Sequence, residues 1–166
     1  MEDTEFNKKK TYWTPEQAWL LIQKYCAVQE RCHQEVRYKL INHGIYGDMT
    51  EELIARLITD NFLDEERYAK TFARGKFRIK NWGKNKILYE LKKKNVSAYS
   101  IKEALKEIED DHYKESLKTL LVKKSKTIKA ENKWEKQKKL TVFALSKGYE
   151  FDQIKVVIEG LLGKNP

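Results

Sequence analysis

A short column of residues recurs along this chain and limits what it can fold into. Val36, Leu40 and Gly44 stand four apart; Ile87, Leu91 and Asn95 repeat the pattern 51 residues on; Leu140, Ala144 and Gly148 repeat it less closely after a further 53. Apolar residues four apart share one face of an α-helix. A Gly or Asn just beyond them ends that helix in the left-handed conformation. After each stop comes a short cap and another apolar helix, marked by Leu53 and Ile54, by Ile101 and by Ile154. The fold class expected is all-α: three tandem three-helix repeats stacked into an elongated, curved array. One such unit buries too little apolar surface to stand alone, so neighbours must share it.

The boundaries expected are a flexible N-terminal segment over 1–12, a first repeat over 13–61, a second over 62–109 and a third over 110–166. Thr14-Pro15-Glu16-Gln17 reads as a helix start, with Thr14 as cap, Pro15 at the first helical position and Gln17 closing a capping box. Ala18, Leu21, Ile22 and Tyr25 follow as its apolar stripe. Asp48, with Glu51 three later, opens the third helix, whose apolar face is Leu53, Ile54, Leu57 and Ile58. Asp64 opens the fourth, which runs to about Lys80 with Tyr68, Ala69, Phe72 and Ala73 on its apolar side. The fifth buries Ile87, Leu88 and Leu91, and Ser97 caps the sixth. Tyr113, Leu117, Leu120 and Leu121 belong to the seventh, Leu140 and Ala144 to the eighth, and Ile154, Val157, Ile158, Leu161 and Leu162 to the ninth.

Several function classes find no support. No apolar run approaches the roughly 18–20 residues that cross a bilayer, and the first residues lack the apolar centre of a secretory signal. A cytoplasmic protein that does not enter the membrane is expected. Cys26 and Cys32 are too few for a disulfide framework and lack the further ligands that zinc needs. The histidines are His33, His43 and His112, none beside a serine or cysteine in a nucleophile setting, and there is no glycine-rich phosphate loop. The acidic runs Asp64-Glu65-Glu66 and Glu107 to Asp111 suit helix starts, where the dipole favours negative charge. The expectation is a non-enzyme with no catalytic residues, no metal and no cofactor.

The net charge is +9, which attracts polyanions and says little about fold. It is concentrated. From Lys70 to Lys94 there are ten Lys/Arg and one acid, Glu90, an excess equal to that of the whole protein. The acids lie elsewhere: residues 48–66 hold seven acids and one base. Arg67, Lys70, Arg74 and Arg78 recur three or four apart along the fourth helix, and the forked donors of arginine suit phosphate and carboxylate. The candidate binding residues are Arg67, Lys70, Arg74, Lys76, Arg78, Lys84 and Lys86. A second basic segment, Lys123 to Lys139, either extends this track or is a solvated face and linker. Phe77 and Trp82 lie beside the basic residues. They either stack on bases or cover the joint between repeats, and the joint is favoured.

Leu57…Asn61-Phe62-Leu63-Asp64-Glu65-Glu66-Arg67-Tyr68-Ala69…Phe72…Arg74 resembles the signature of the RecX family of recombination regulators. Gly83…Ile87…Glu90-Leu91…Asn95-Val96 and Ile101…Ala104-Leu105 continue the likeness, which is strongest over about 53–108. Asn95 departs from the glycine expected there, and the lysine-rich third unit is more diverged. The resemblance implies a non-enzymatic, monomeric modulator of the RecA recombinase. Such a protein binds RecA and its filament on single-stranded DNA, restrains strand exchange, ATP hydrolysis and co-protease activity in DNA repair and the SOS response, and in some members binds DNA directly. The alternative left open is a stand-alone nucleic-acid-binding helical module without a recombinase partner.

Overall fold

The computed structural model describes residues 10–163. The flexible segment expected over 1–12 therefore lies outside the described residues for 1–9. Residues 10–12 have no regular structure, yet they are held: His43 Nδ1 donates to the Thr11 carbonyl at 2.6 Å. The described residues form nine helices and no strand. In chain order they are α1 (Pro15–Val28), α2 (His33–Asn42), α3 (Asp48–Thr59), α4 (Glu65–Lys80), α5 (Lys84–Lys93), α6 (Ala98–Lys106), α7 (Asp110–Ser125), α8 (Lys133–Lys147) and α9 (Phe151–Leu162). The fold is all-α.

The recurring column is a recurring backbone motif. Gly44, Asn95 and Gly148 adopt φ of 84°, 57° and 96°. Beyond each, the next N–H reaches back five residues, from Ile45 to the Leu40 carbonyl at 3.0 Å, Val96 to Leu91 at 3.2 Å and Tyr149 to Ala144 at 3.2 Å. A second bond closes each turn from the left-handed residue itself, to Ile41, Lys92 and Leu145. This is the Schellman ending, with an apolar residue just past the stop tucked against the helix. Ile45, Val96 and Tyr149 are all buried. The motif thus ends α2, α5 and α8 alike and aims the chain into α3, α6 and α9.

The chain divides into two units, one through Tyr68 and one from Ala69 onward. In the first, Ala18, Ile22, Cys26, Val36, Leu40, Ile45, Ile54, Leu57 and Leu63 form the core. Thr14 makes its capping box with Gln17, at 3.0 and 3.3 Å. The stripe on α1 runs through Ala18, Ile22 and Cys26, while Leu21 is 37% exposed. The i, i+4 ridge therefore faces the core, not the i+3 row that includes Leu21. Asp48 is the first residue inside α3 rather than its cap; Gly47, at φ 61°, holds the cap position. Ile58 is left 46% exposed, and Thr50 is buried in its stead, donating to the Ile45 carbonyl at 2.9 Å.

The second unit carries most of α4 and α5 to α9. Ala69 and Ala73 of α4, Ile87 and Leu91 of α5, and Ile101 and Ala104 of α6 are buried, as are Tyr113, Leu117 and Leu121 of α7, Leu140 and Ala144 of α8, and Ile154 and Ile158 of α9. Leu88, expected in the core, is only half-buried. Two glycines bring α5 and α8 into backbone contact. Gly83 N–H donates to the Lys147 carbonyl at 2.7 Å and Asn85 N–H to the Gly148 carbonyl at 3.0 Å. The unpaired donors at the start of one helix thus meet the unpaired acceptors at the end of another.

Candidate functional site

The seven basic residues predicted to form one surface sort into four settings. Arg67 comes first. Asp64 caps α4, its Oδ1 accepting the Arg67 backbone N–H at 2.8 Å. The Arg67 side chain turns back into its own unit. Its Nε donates to Glu30 Oε1 at 2.6 Å, and its two terminal nitrogens hold Asn61 through the side-chain oxygen at 3.0 Å and the carbonyl at 3.1 Å. Asn61 is itself a left-handed residue, at φ 61°. Arg67 is thus a strut that ties the end of α1 to the turn before α4.

Lys70, Arg74 and Arg78 follow at helical spacing on one side of α4. Lys70 and Arg74 share Glu107, just past α6, at 3.9 and 3.8 Å. These pairs are at the outer limit of an ion pair and half open to water, worth at most about 1 kcal/mol. Arg74 and Arg78 are exposed. The guanidinium groups are therefore available to an outside anion at little cost.

Lys76 lies about half a turn away from Arg74 and Arg78 along the same helix. It stands with Lys86 of α5 against Trp82. The two ammonium groups are 4.9 and 4.7 Å from the indole centroid, within cation–π range. Trp82 meets Phe72 edge-on at 6.3 Å, so it packs into the α4–α5 corner. Phe77 reaches across: its ring lies 5.9 Å from that of Tyr113 on α7. Tyr113 continues to Tyr149 at 5.0 Å and donates to Glu150 Oε2 at 2.6 Å.

Lys84, at the start of α5, pairs with Asp110 at 3.1 Å and lies 4.9 Å from the Tyr113 ring. Its backbone N–H donates to the Tyr113 hydroxyl at 2.9 Å. Burial first, and then the bond to Glu150, holds the Tyr113 phenol above its ordinary range. Spacing along α4 puts Lys76 off the arginine row, and Trp82 gives it Lys86 as a neighbour. The aromatic between two basic residues was the signal in the sequence for that second cluster.

Cys26 and Cys32 are buried and not joined in a disulfide. Burial pushes the Cys26 thiol up to about 11. Among the described residues no group of three or more His, Cys, Asp or Glu is placed to hold a metal ion, and no helix is long and apolar enough to cross a membrane.

A family model described as "RecX, second three-helix domain" matches residues 64–105, and "RecX, third three-helix domain" matches residues 111–158. The chain belongs to the RecX family. Regulatory protein RecX of Prosthecochloris aestuarii is 32% identical over 138 residues, covering 83% of this chain and 89% of that one. Regulatory protein RecX of Clostridium botulinum strain Eklund 17B is 37% identical over 131 residues, 78% of this chain but only 61% of its own length. The crystal structure of RecX from Lactobacillus salivarius superposes with a TM-score of 0.79 at 26% identity, over 89% of this chain and 96% of that one. All seven candidate basic residues fall within the match to the second RecX domain.

Proposed function

We propose that this RecX-family chain regulates a RecA-type recombinase, binding the protein and its filament on single-stranded DNA and restraining strand exchange, ATP hydrolysis and co-protease activity. The observation that carries this reading is the pair of adjacent RecX domain matches. The exposed Arg74 and Arg78, with Lys70 behind them, supply the contact row. Lys76, Lys84 and Lys86 supply a second one, and Arg67 positions the start of the helix that bears them. On this reading the protein acts as a cytoplasmic monomer, without a cofactor or catalytic residues, through repeats over 13–61, 62–109 and 110–166. The experiment is titration of the protein into RecA-coated single-stranded DNA, with ATPase and strand exchange as readouts. Inhibition at stoichiometric amounts is expected, weakened by Arg74→Ala with Arg78→Ala. Unchanged rates at those amounts defeat the proposal.

A second reading has its own observation, the indole of Trp82 flanked by Lys76 and Lys86. An aromatic ring between cations suits a base and its phosphates. A nucleic-acid-binding module acting without a recombinase would bind naked single strands tightly. It would lose roughly 0.7 log units of affinity per phosphate contact for each log unit of salt. Tight binding of that kind, with no effect on RecA, decides for this reading.

A further inference from the structure

Between α5 and α6 runs an open groove of about 700 Å³, wholly within the second unit. Its floor is aliphatic: Ile101 and Ile108 are buried, and Leu88 and Leu105 are half-buried. Its rim is cationic, with Lys84 and Lys92 on α5 and Lys102 and Lys106 on α6. Lys84 is engaged by Asp110 and Lys106 by Glu103. Among the described residues neither Lys92 nor Lys102 forms an ion pair, and both are exposed. From Lys84 to Lys92 the groove extends about 12 Å along α5, the length of two helical turns.

A related, smaller groove of about 300 Å³ lies one repeat later, between α8 and α9. Gln137, Thr141, Phe151, Lys155 and Ile158 line it, each 53 residues after Lys84, Leu88, Ala98, Lys102 and Leu105 in turn. Where the first groove has Ala98, the second has Phe151, and where the first has Leu88 the second has Thr141. The larger side chain at the first of these positions goes with the smaller groove.

We propose that the α5–α6 groove docks a short acidic, amphipathic segment of a partner protein, its aliphatic side chains on Leu88 and Leu105 and its carboxylates on Lys92 and Lys102. The charge of the rim selects an anionic partner. The floor then selects a peptide over a nucleic acid, because it holds no aromatic ring on which a base would stack and no arginine fork for phosphate. Glu109 lies at one end beside the Lys84–Asp110 pair, so the carboxylates of the bound peptide are favoured at the other end, on Lys92 and Lys102. The proposal stands independently of the recombinase reading, since it needs only a partner of this chemistry.

The test uses the full chain and a fluorescein-labelled helical peptide of Glu and Ala with leucines at i, i+3 and i+7. Saturable binding by anisotropy is expected, with amide shift changes centred on Leu88, Lys92, Ala98 and Lys102. Ala98→Phe, which copies the third repeat, should weaken binding by about tenfold or more while leaving the thermal midpoint near that of the wild type. If Ala98→Phe fails to fold, Lys92→Glu with Lys102→Glu carries the same expectation at two exposed positions. Equal binding of a peptide with serine for leucine overturns the proposal, because charge alone would then suffice. So does equal binding by the folded variants, a shift pattern centred elsewhere, or displacement of the peptide by oligothymidylate.

Discussion

The backbone N–H of Gly83 donates to the carbonyl oxygen of Lys147 at 2.7 Å. A Cβ built on Gly83 would collide with the backbone of Gly148 and Tyr149, and one on Gly148 with the Cβ and backbone of Lys86. The amino end of α5 therefore rests on the carboxyl end of α8, with their dipoles head to tail. The joint between the second and third sets of helices is a peptide-to-peptide contact that glycine alone permits.

Gly83→Ala is expected to destabilise the protein by about 2 kcal/mol or more, as overpacking against backbone does. Gly75→Ala is the counter-case. Gly75 lies inside α4 with nothing within 4 Å of an added Cβ, so the substitution should stabilise by about 0.5–1 kcal/mol through helix propensity. Urea midpoints for the two variants should move in opposite directions. A common direction would mean the close approach is not rigid.

The arginines of α4 differ in what alanine costs. Arg67→Ala should lose about 1–3 kcal/mol, because Glu30, whose Oε2 is already buried without a hydrogen-bond partner, would lose its counter-charge. Arg74→Ala and Arg78→Ala should each stay within about 0.5 kcal/mol. Chemical denaturation of the three single variants checks this, and pairing Arg67→Ala with Glu30→Gln should recover part of the loss.

Stability should fall at alkaline pH. The Cys26 thiol is raised from its ordinary 9.0 to about 11, and the Tyr113 and Tyr149 phenols are raised from 10.0, in each case by burial first. Groups raised on folding contribute stability that is complete below their unfolded values and is lost as pH climbs toward their folded ones. The urea midpoint should therefore hold to about pH 9 and decline above it. Tyr113→Phe should cost about 1–3 kcal/mol at neutral pH, by stranding Glu150 and the Lys84 N–H, and should make the decline above pH 10 shallower.

Asn95 occupies a left-handed position, φ 57°, where the other two repeats have glycine. Asn95→Gly should stabilise by a few tenths of a kcal/mol to about 1, and Asn95→Ala should destabilise by about 1. Thermal midpoints of the two variants, on either side of the wild type, are the measurement.

The backbone course was readable from the sequence. Gly44, Asn95 and Gly148 announce the helix stops because a left-handed φ is a local demand that few residues meet. Leu40, Leu91 and Ala144 announce the buried faces because helical period is local too. What side chains do with their charge is not local. Arg67, Arg74 and Arg78 share one row on α4, yet only the fold shows that Arg67 is engaged by Glu30, 37 residues away, while the other two face water. Lys76 belongs with Lys86 because Trp82 folds back between them. Ala98 and Phe151 are equivalent by repeat, and only the fold shows that one lines a groove of about 700 Å³ and the other a groove of about 300 Å³. Distant partners decide these outcomes, since an ion pair or a cavity depends on atoms that the chain brings together only after it has folded.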